Sequence, residues 1–451
     1  MATLGLPRPT ATRRRPAARS ICLTVILVAA LVAAMAAGAA SGSSHRTMPQ
    51  YDVQELASLG GSYSVATSVN NTGWVAGNST IATGDLHAAL WRFGSATDLG
   101  TFGGPGTNSG VLWPVKNELG AISGIAETDE LNPLNEIWSC GFFFTQLRHN
   151  CSGFVWQDGQ KRALDTLGGY NSFATGTNNH LQTVGWAENI VHDPTCVTPQ
   201  VLQFHAVIWG PSEDDIQPLS PLAGDSASAA TAINDSGQVV GISGSCDRAF
   251  GRFSAKHSVL WENGVPINIG DLGGVAWNTP MAINRKGDIV GFANRSAADG
   301  GSFRPRAFLS TKPGRVTDLG TLGDDPYAQA LAINEDRQVV GVSYSEGFAT
   351  CRAFIWEHGV MTDLNDLAPD YSGQLCAAND INDLGQITGE AVQQGTGRSV
   401  AFLAGPLAAD SSTSDQRAAA ETHAHAAPTV SWDVIQSIMT RSGVRREDLG
   451  R

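Results

Sequence analysis

The sequence predicts an all-β fold, a seven-bladed β-propeller of four-stranded blades, and three observations predict it. A degenerate unit of about 50 residues recurs seven times along the chain. Each unit holds short β-rich runs divided by turns rich in Asn and Gly. The last unit lacks a fourth strand, and a strand of that kind stands ahead of the first unit.

The recurrence shows as Asn followed by six residues and Gly, at Asn70/Gly77, Asn117/Gly124, Asn178/Gly185, Asn234/Gly241, Asn284/Gly291, Asn334/Gly341 and Asn382/Gly389. Steps between the asparagines are 47, 61, 56, 50, 50 and 48 residues. Five units carry a glycine three residues after the Asn, whereas Leu181 and Arg337 stand there in the other two. A β-rich triplet follows, ending in Trp91, Trp156, Trp209, Trp261 and Trp356, with Phe308-Leu309-Ser310 and Phe402-Leu403-Ala404 in the fifth and seventh units. Last comes a segment such as Asp318-Leu319-Gly320, worn in the third unit to Leu219–Leu222.

These landmarks convert into strands. Ala230–Ile233 is strand one, and Asn234-Asp235-Ser236-Gly237 turns it, Asn capping a type I turn and Gly taking the left-handed position. Gln238–Ile242 is a β-branched strand two, and His257–Trp261 is strand three. A tight turn at Asn263-Gly264 leads into strand four, Pro266 to Leu272. Charged residues at only 16% and glycine at 51 residues suit short strands and tight turns. Tyr51 to Gly61 reads as a strand four and its exit, so the N-terminal strand completes the last blade and leaves no open edge. The propeller is thus expected over 51–404.

Residues 1–39 read as a signal peptide: Arg13 to Arg15, an apolar run from Ile21 to Met35, then Ala37-Gly38-Ala39. The alternative is an uncleaved anchor, the one route to a membrane, and a short linker spans 40–50. Without this segment the net charge moves from −13 to −18, which excludes nucleic acid as a partner. Apart from Cys22, six cysteines remain: Cys140, Cys151, Cys196, Cys246, Cys351 and Cys376. An even number in an exported chain favours disulfides over free thiols, and no spacing matches a metal motif. No cofactor is expected.

The run Ala332-Ile333-Asn334, Gln338-Val339-Val340-Gly341, Arg352-Ala353-Phe354-Ile355-Trp356 and Met361-Thr362-Asp363-Leu364 resembles the bacterial extracellular HAF-repeat proteins. The triplet that names that family survives in altered form as His87-Ala88-Ala89, His205-Ala206-Val207, His257-Ser258-Val259 and Arg306-Ala307-Phe308. The resemblance covers Tyr51 to Leu403. It implies secretion from a bacterium and a repeated all-β domain, and it carries no catalytic residue.

In each blade the loop between strands two and three shares a face with the crossover to the next blade, and every mature cysteine falls there. Six cysteines admit 15 pairings. Nearness on the ring selects Cys140–Cys151, Cys196–Cys246 and Cys351–Cys376. Long stapled loops on a rigid scaffold are where function concentrates. The longest, Ala126 to Asn150, gathers Trp138, Phe142, Phe143, Phe144 and His149. This is either a contact patch or a cluster folded over the ring. On strand one, Asp380 and Trp113 interrupt a row of mostly small residues and either line the channel mouth or mark a degenerate blade. The strand-three tryptophans read as packing between blades, and the Asp-Leu-Gly aspartates as turn formers.

A Ser/Ala/Thr-rich linker is expected over 405–430, without fixed structure. Over 431–451, Ser431 caps a short helix whose Trp432, Ile435, Ile438 and Met439 share one face before Gly443, a helix expected to dock. No catalytic motif is present, so the chain reads as a monomeric binding scaffold for a protein or glycan, not an enzyme. The alternatives are a propeller hydrolase or lyase with its site at the channel mouth, and a structural cell-surface protein.

Overall fold

Seven four-stranded antiparallel sheets make up the computed structural model of the chain. It describes residues 48–137, 139–143, 147–212, 215–408, 429–440 and 443–444. The expected signal peptide and most of both linkers lie outside those residues.

Blades 1 to 6 span residues 60–98, 109–163, 168–219, 227–268, 279–320 and 327–363. Blade 7 takes three strands from 374–406 and its fourth from Tyr51–Glu55. That strand pairs antiparallel with Ser399–Pro406, from Tyr51 opposite Pro406 to Glu55 opposite Phe402. The ring therefore closes through its N-terminal strand, as the sequence predicts. It ends two residues later than expected, at Pro406, because Gly405 and Pro406 pair with Asp52 and Tyr51.

Both members of the Asn-Gly signature have a physical reason. In six of the blades strand one shifts register by one residue just before the Asn, as between Ala330 and Ala332. Such a bulge turns the strand and pushes a carbonyl toward strand two. A Cβ on Gly341 would lie 2.0 Å from the Gln329 carbonyl oxygen, and one on Gly389 would lie 1.9 Å from that of Ala377. Only glycine fits.

The Asn works on both sides of its turn. Asn334 Oδ1 accepts the N–H groups of Asp336 and Gln338 at 3.1 and 2.9 Å. Its Nδ2 donates 3.1 Å to the carbonyl of Asn382 in the next blade. The same reach joins Asn70 to Asn117, Asn178 to Asn234, Asn234 to Asn284, Asn284 to Asn334 and Asn382 to Asn70. In blade 2, Asn117 reaches instead the carbonyl of Thr177, one residue before Asn178. Seven carboxamides thus lace the inner ends of the blades into a closed ring.

Outside that ring the blades bury apolar faces against one another. Trp91, Trp209 and Trp261 are buried, and their indole N–H groups donate to the carbonyls of Ala57, Asp165 and Ser220 in the crossovers. They pack between blades, as expected. The aspartates of the Asp-Leu-Gly segments hold turns, Asp98 accepting from Gly100 N–H and Asp318 from Gly320 N–H. The first residue of the worn triplet pairs with the same aspartate, His87 with Asp98 at 2.8 Å and Arg306 with Asp318 at 3.3 Å.

Candidate functional site

The two faces of the ring differ sharply. On one lie the three predicted disulfides, Cys140–Cys151, Cys196–Cys246 and Cys351–Cys376, with Cα separations of 5.9, 4.5 and 4.9 Å. The first closes the blade 2 loop, while the others tie blade 3 to blade 4 and blade 6 to blade 7. At the centre of this face Trp113 is 1% exposed, and its ring lies 5.4 to 6.0 Å from Phe142, Phe173, Trp186 and Phe250. Strand one of blade 2 is only Ser109–Gly110, so the chain up to Pro114 carries Trp113 inward as a plug.

The C-terminal helix Trp432–Thr440 completes the closure. Val434, Ile435, Ile438 and Met439 are buried in one cluster with Trp113, Phe250 and Trp277. Val430 N–H donates to the Ala349 carbonyl at 3.2 Å, and Gly443 sits close against Phe250. The helix docks.

Of the two readings of the aromatic loop, contact patch or cluster folded over the ring, Phe142 and Phe143 follow the second. Phe143 is buried and Phe142 half-buried, its ring 5.3 Å from Phe173, so both face the core. His149 is half-buried at the start of its strand, and Trp138 and Phe144 lie outside the described residues. Trp113 does not line an open mouth. Asp380 is fully buried, where it accepts the Val69 and Ile381 N–H groups and meets the Lys116 ammonium. Burial raises its carboxyl above the ordinary carboxylate range, and Lys116 offsets only part of that.

The opposite face, formed by the Asn turns, is open. A cavity of about 100 Å³ lies on the axis, with Val69, Ile233, Ile283, Ile333 and Ile381 in its walls and Lys116 at its side. Around it stands the residue after each Asn: Asn71, Glu118, Asn179, Asp235, Arg285, Glu335 and Asp383. Six of the seven side chains take the N–H of the preceding blade's member. Glu118 N–H donates to Asn179 at 2.7 Å, Asn179 to Asp235 at 2.9 Å, Arg285 to Glu335 at 2.8 Å and Asp383 to Asn71 at 2.8 Å. Asn71 N–H reaches Glu118 at 3.1 Å, and Glu335 N–H reaches Asp383 at 3.0 Å. The belt opens only between Asp235 and Arg285, because a guanidinium offers no acceptor. Arg285 turns instead to Glu335 at 3.3 Å and Asp383 at 3.5 Å. A mouth ringed by donors and acceptors of both charges can hold a polar ligand; it offers no nucleophile paired with a base.

Sequence reasoning passed over this rim. The residues at that position vary from Asn to Arg, so only alignment of the units on their Asn would have drawn them together. Among the described residues, two groups of possible metal ligands, Glu127 with Cys140 and Cys151, and Asp193 with Cys196 and Cys246, lose their thiolates to the disulfides. Lys161, packed over Phe102 and Phe154, has its ammonium lowered to about 8 by burial. Among the described residues no helix is long and apolar enough to cross a membrane.

No protein-family model and no curated protein sequence matches the chain. Solved structures resemble its backbone. A Mycobacterium tuberculosis puromycin-hydrolyzing peptidase is 12% identical at a TM-score of 0.44, over 78% of this chain and 53% of that one. AofleA from Arthrobotrys oligospora is 12% identical at 0.34, over 70% and 90%. Aleuria aurantia lectin is 8% identical at 0.34, over 67% and 94%. The chain spans about half the length of the peptidase, and at these identities the likeness concerns the fold alone.

Proposed function

We propose that the chain is an exported binding scaffold of the HAF-repeat kind, and that it presents the Asn-turn face to a protein or glycan. The observation that carries the reading is the asymmetry of the axis. One mouth is filled by Trp113, its aromatic neighbours and the C-terminal helix, while the other is ringed by seven turn residues around a cavity. Rigid presentation of variable side chains on a repeated frame is what a recognition surface needs. The three disulfides fit an extracytoplasmic location.

The test is a glycan array and a partner pull-down with the chain from Ala40 onward, repeated with Arg285→Glu and Glu335→Ala. Saturable binding that these rim changes abolish supports the reading. Binding indifferent to them, or turnover of a panel of glycans and esters, overturns it.

A further inference from the structure

Three side chains beside the cysteine face meet in a way that packing alone leaves unexplained. Glu136 comes from the blade 2 loop, Glu188 from strand two of blade 3, and Gln200 from the loop that follows it. Glu136 Oε1 accepts the N–H groups of Val201 and Leu202, each at 2.8 Å. Gln200 Nε2 donates to the Leu202 carbonyl at 2.7 Å and to Glu188 Oε1 at 3.2 Å. Glu136 and Gln200 therefore both hold the main chain at Leu202, and Gln200 links it to Glu188, whose Oε2 accepts the Tyr170 and Asn171 N–H groups at 3.2 and 3.0 Å. Exposure is 1% for Glu136, 0% for Glu188 and 4% for Gln200.

Two oxygens in this group have no donor: Glu136 Oε2 and Gln200 Oε1. The carboxamide cannot be turned over to help, because both contacts of its Nε2 are to acceptors. Among the described residues neither carboxylate meets a Lys, Arg or His. Two buried carboxylates without a cation repel, and each unsatisfied buried acceptor costs stability. A proton shared between the glutamates would supply Glu136 Oε2 and still leave Gln200 Oε1 facing nothing. A cation that takes oxygen ligands supplies both and neutralises the charge.

We propose that Glu136, Glu188 and Gln200 bind a hard divalent cation of the calcium class, with water completing its coordination. A site with two carboxylates suits the affinity of extracellular modules, on the order of 10⁻⁴–10⁻³ M. Its place is structural: it ties the blade 2 loop to blade 3 beside the Cys196–Cys246 bridge, whose sulfurs both lie 3.7 Å from the Leu202 carbonyl.

The experiment is calorimetry of the whole folded chain at neutral pH with calcium, with magnesium and with a chelator. Calcium at ten times its dissociation constant should raise the Tm by about 2 °C over the chelated protein. That rise should vanish in Glu136→Gln and in Gln200→Leu, the second of which changes no charge. Isothermal titration of the unsubstituted protein with calcium, expected to give one site per chain, keeps the test independent of how the variants fold. No heat and no shift overturns the proposal, as does a shift that survives both substitutions. A Glu136→Gln variant that is more stable than the parent with or without calcium assigns the pair to a shared proton and also overturns it.

Discussion

Asn334 Nδ2 donates to the main-chain carbonyl of Asn382 in the neighbouring blade while Asn334 Oδ1 caps its own turn, so one side chain serves two blades. An aspartate in its place keeps the cap and loses the donor. Asn334→Asp should lower stability by about 1–3 kcal/mol, and Asn334→Ala, which loses both roles, by more. Urea unfolding checks the order; an Asp variant as stable as the parent would mean the inter-blade bond contributes nothing.

The two units without the turn glycine give opposite predictions. Leu181 and Arg337 hold φ of 58° and 62°, where the other five units place glycine. Leu181→Gly relieves a left-handed side chain and should raise stability by about 1 kcal/mol. Arg337→Gly should lower it, because Arg337 makes paired contacts of 2.9 and 3.0 Å with buried Asp288. Matched shifts of the same sign in thermal unfolding would refute the distinction.

Lys116 and Asp380 set a pH dependence. A carboxyl raised in the folded state contributes stability that is complete below its unfolded pKa, about 4, and is lost as the pH climbs through the folded value. Lys116→Met removes the ammonium and raises that value further. The deficit of the variant should therefore be small near pH 4 and approach roughly 3–5 kcal/mol at neutral pH. Urea midpoints across that range would show a constant deficit if the pair were not the cause.

Phe143 turns from the blade 2 loop into the core, 3% exposed. Phe143→Ser should cost roughly 3–5 kcal/mol, the range for emptying a buried aromatic site. A Tm within a degree or so of the parent would return the loop to the surface.

Thiol counting addresses export. Cys22 is the one cysteine outside the three bridges. Protein recovered from a secreting host and denatured without reductant should show no reactive thiol, with a mass beginning after Ala39. One thiol per chain would show that the leader is retained.

Blade count and strand order were legible because each rests on a local pattern repeated several times, and closure and cysteine pairing followed once the units were placed around a ring. The Asn-Gly signature was legible as a turn. Its second purpose was hidden, because the Asn382 carbonyl lies 48 residues from the side chain that reaches it. The site was harder to read. Aromatics in a long loop look alike whether they face out or in, and Phe142 and Phe143 turn in because Trp113 waits for them. Arg285 and Glu335 were missed because the rim residues share nothing but their position after the Asn. Glu136 and Gln200 come from different blades, so no spacing joins them.

The strand Tyr51–Glu55 gives the chain an unusual timetable. A polypeptide that emerges N-terminus first presents this segment at the outset, yet its partner, Ser399–Pro406, emerges roughly 350 residues later. Until then Tyr51–Glu55 has no strand of its own sheet to pair with. The seam is then the pairing with the longest sequence separation in the ring. A chain halted short of that seam would carry six finished blades and one exposed margin, ready to pair with whatever strand it meets.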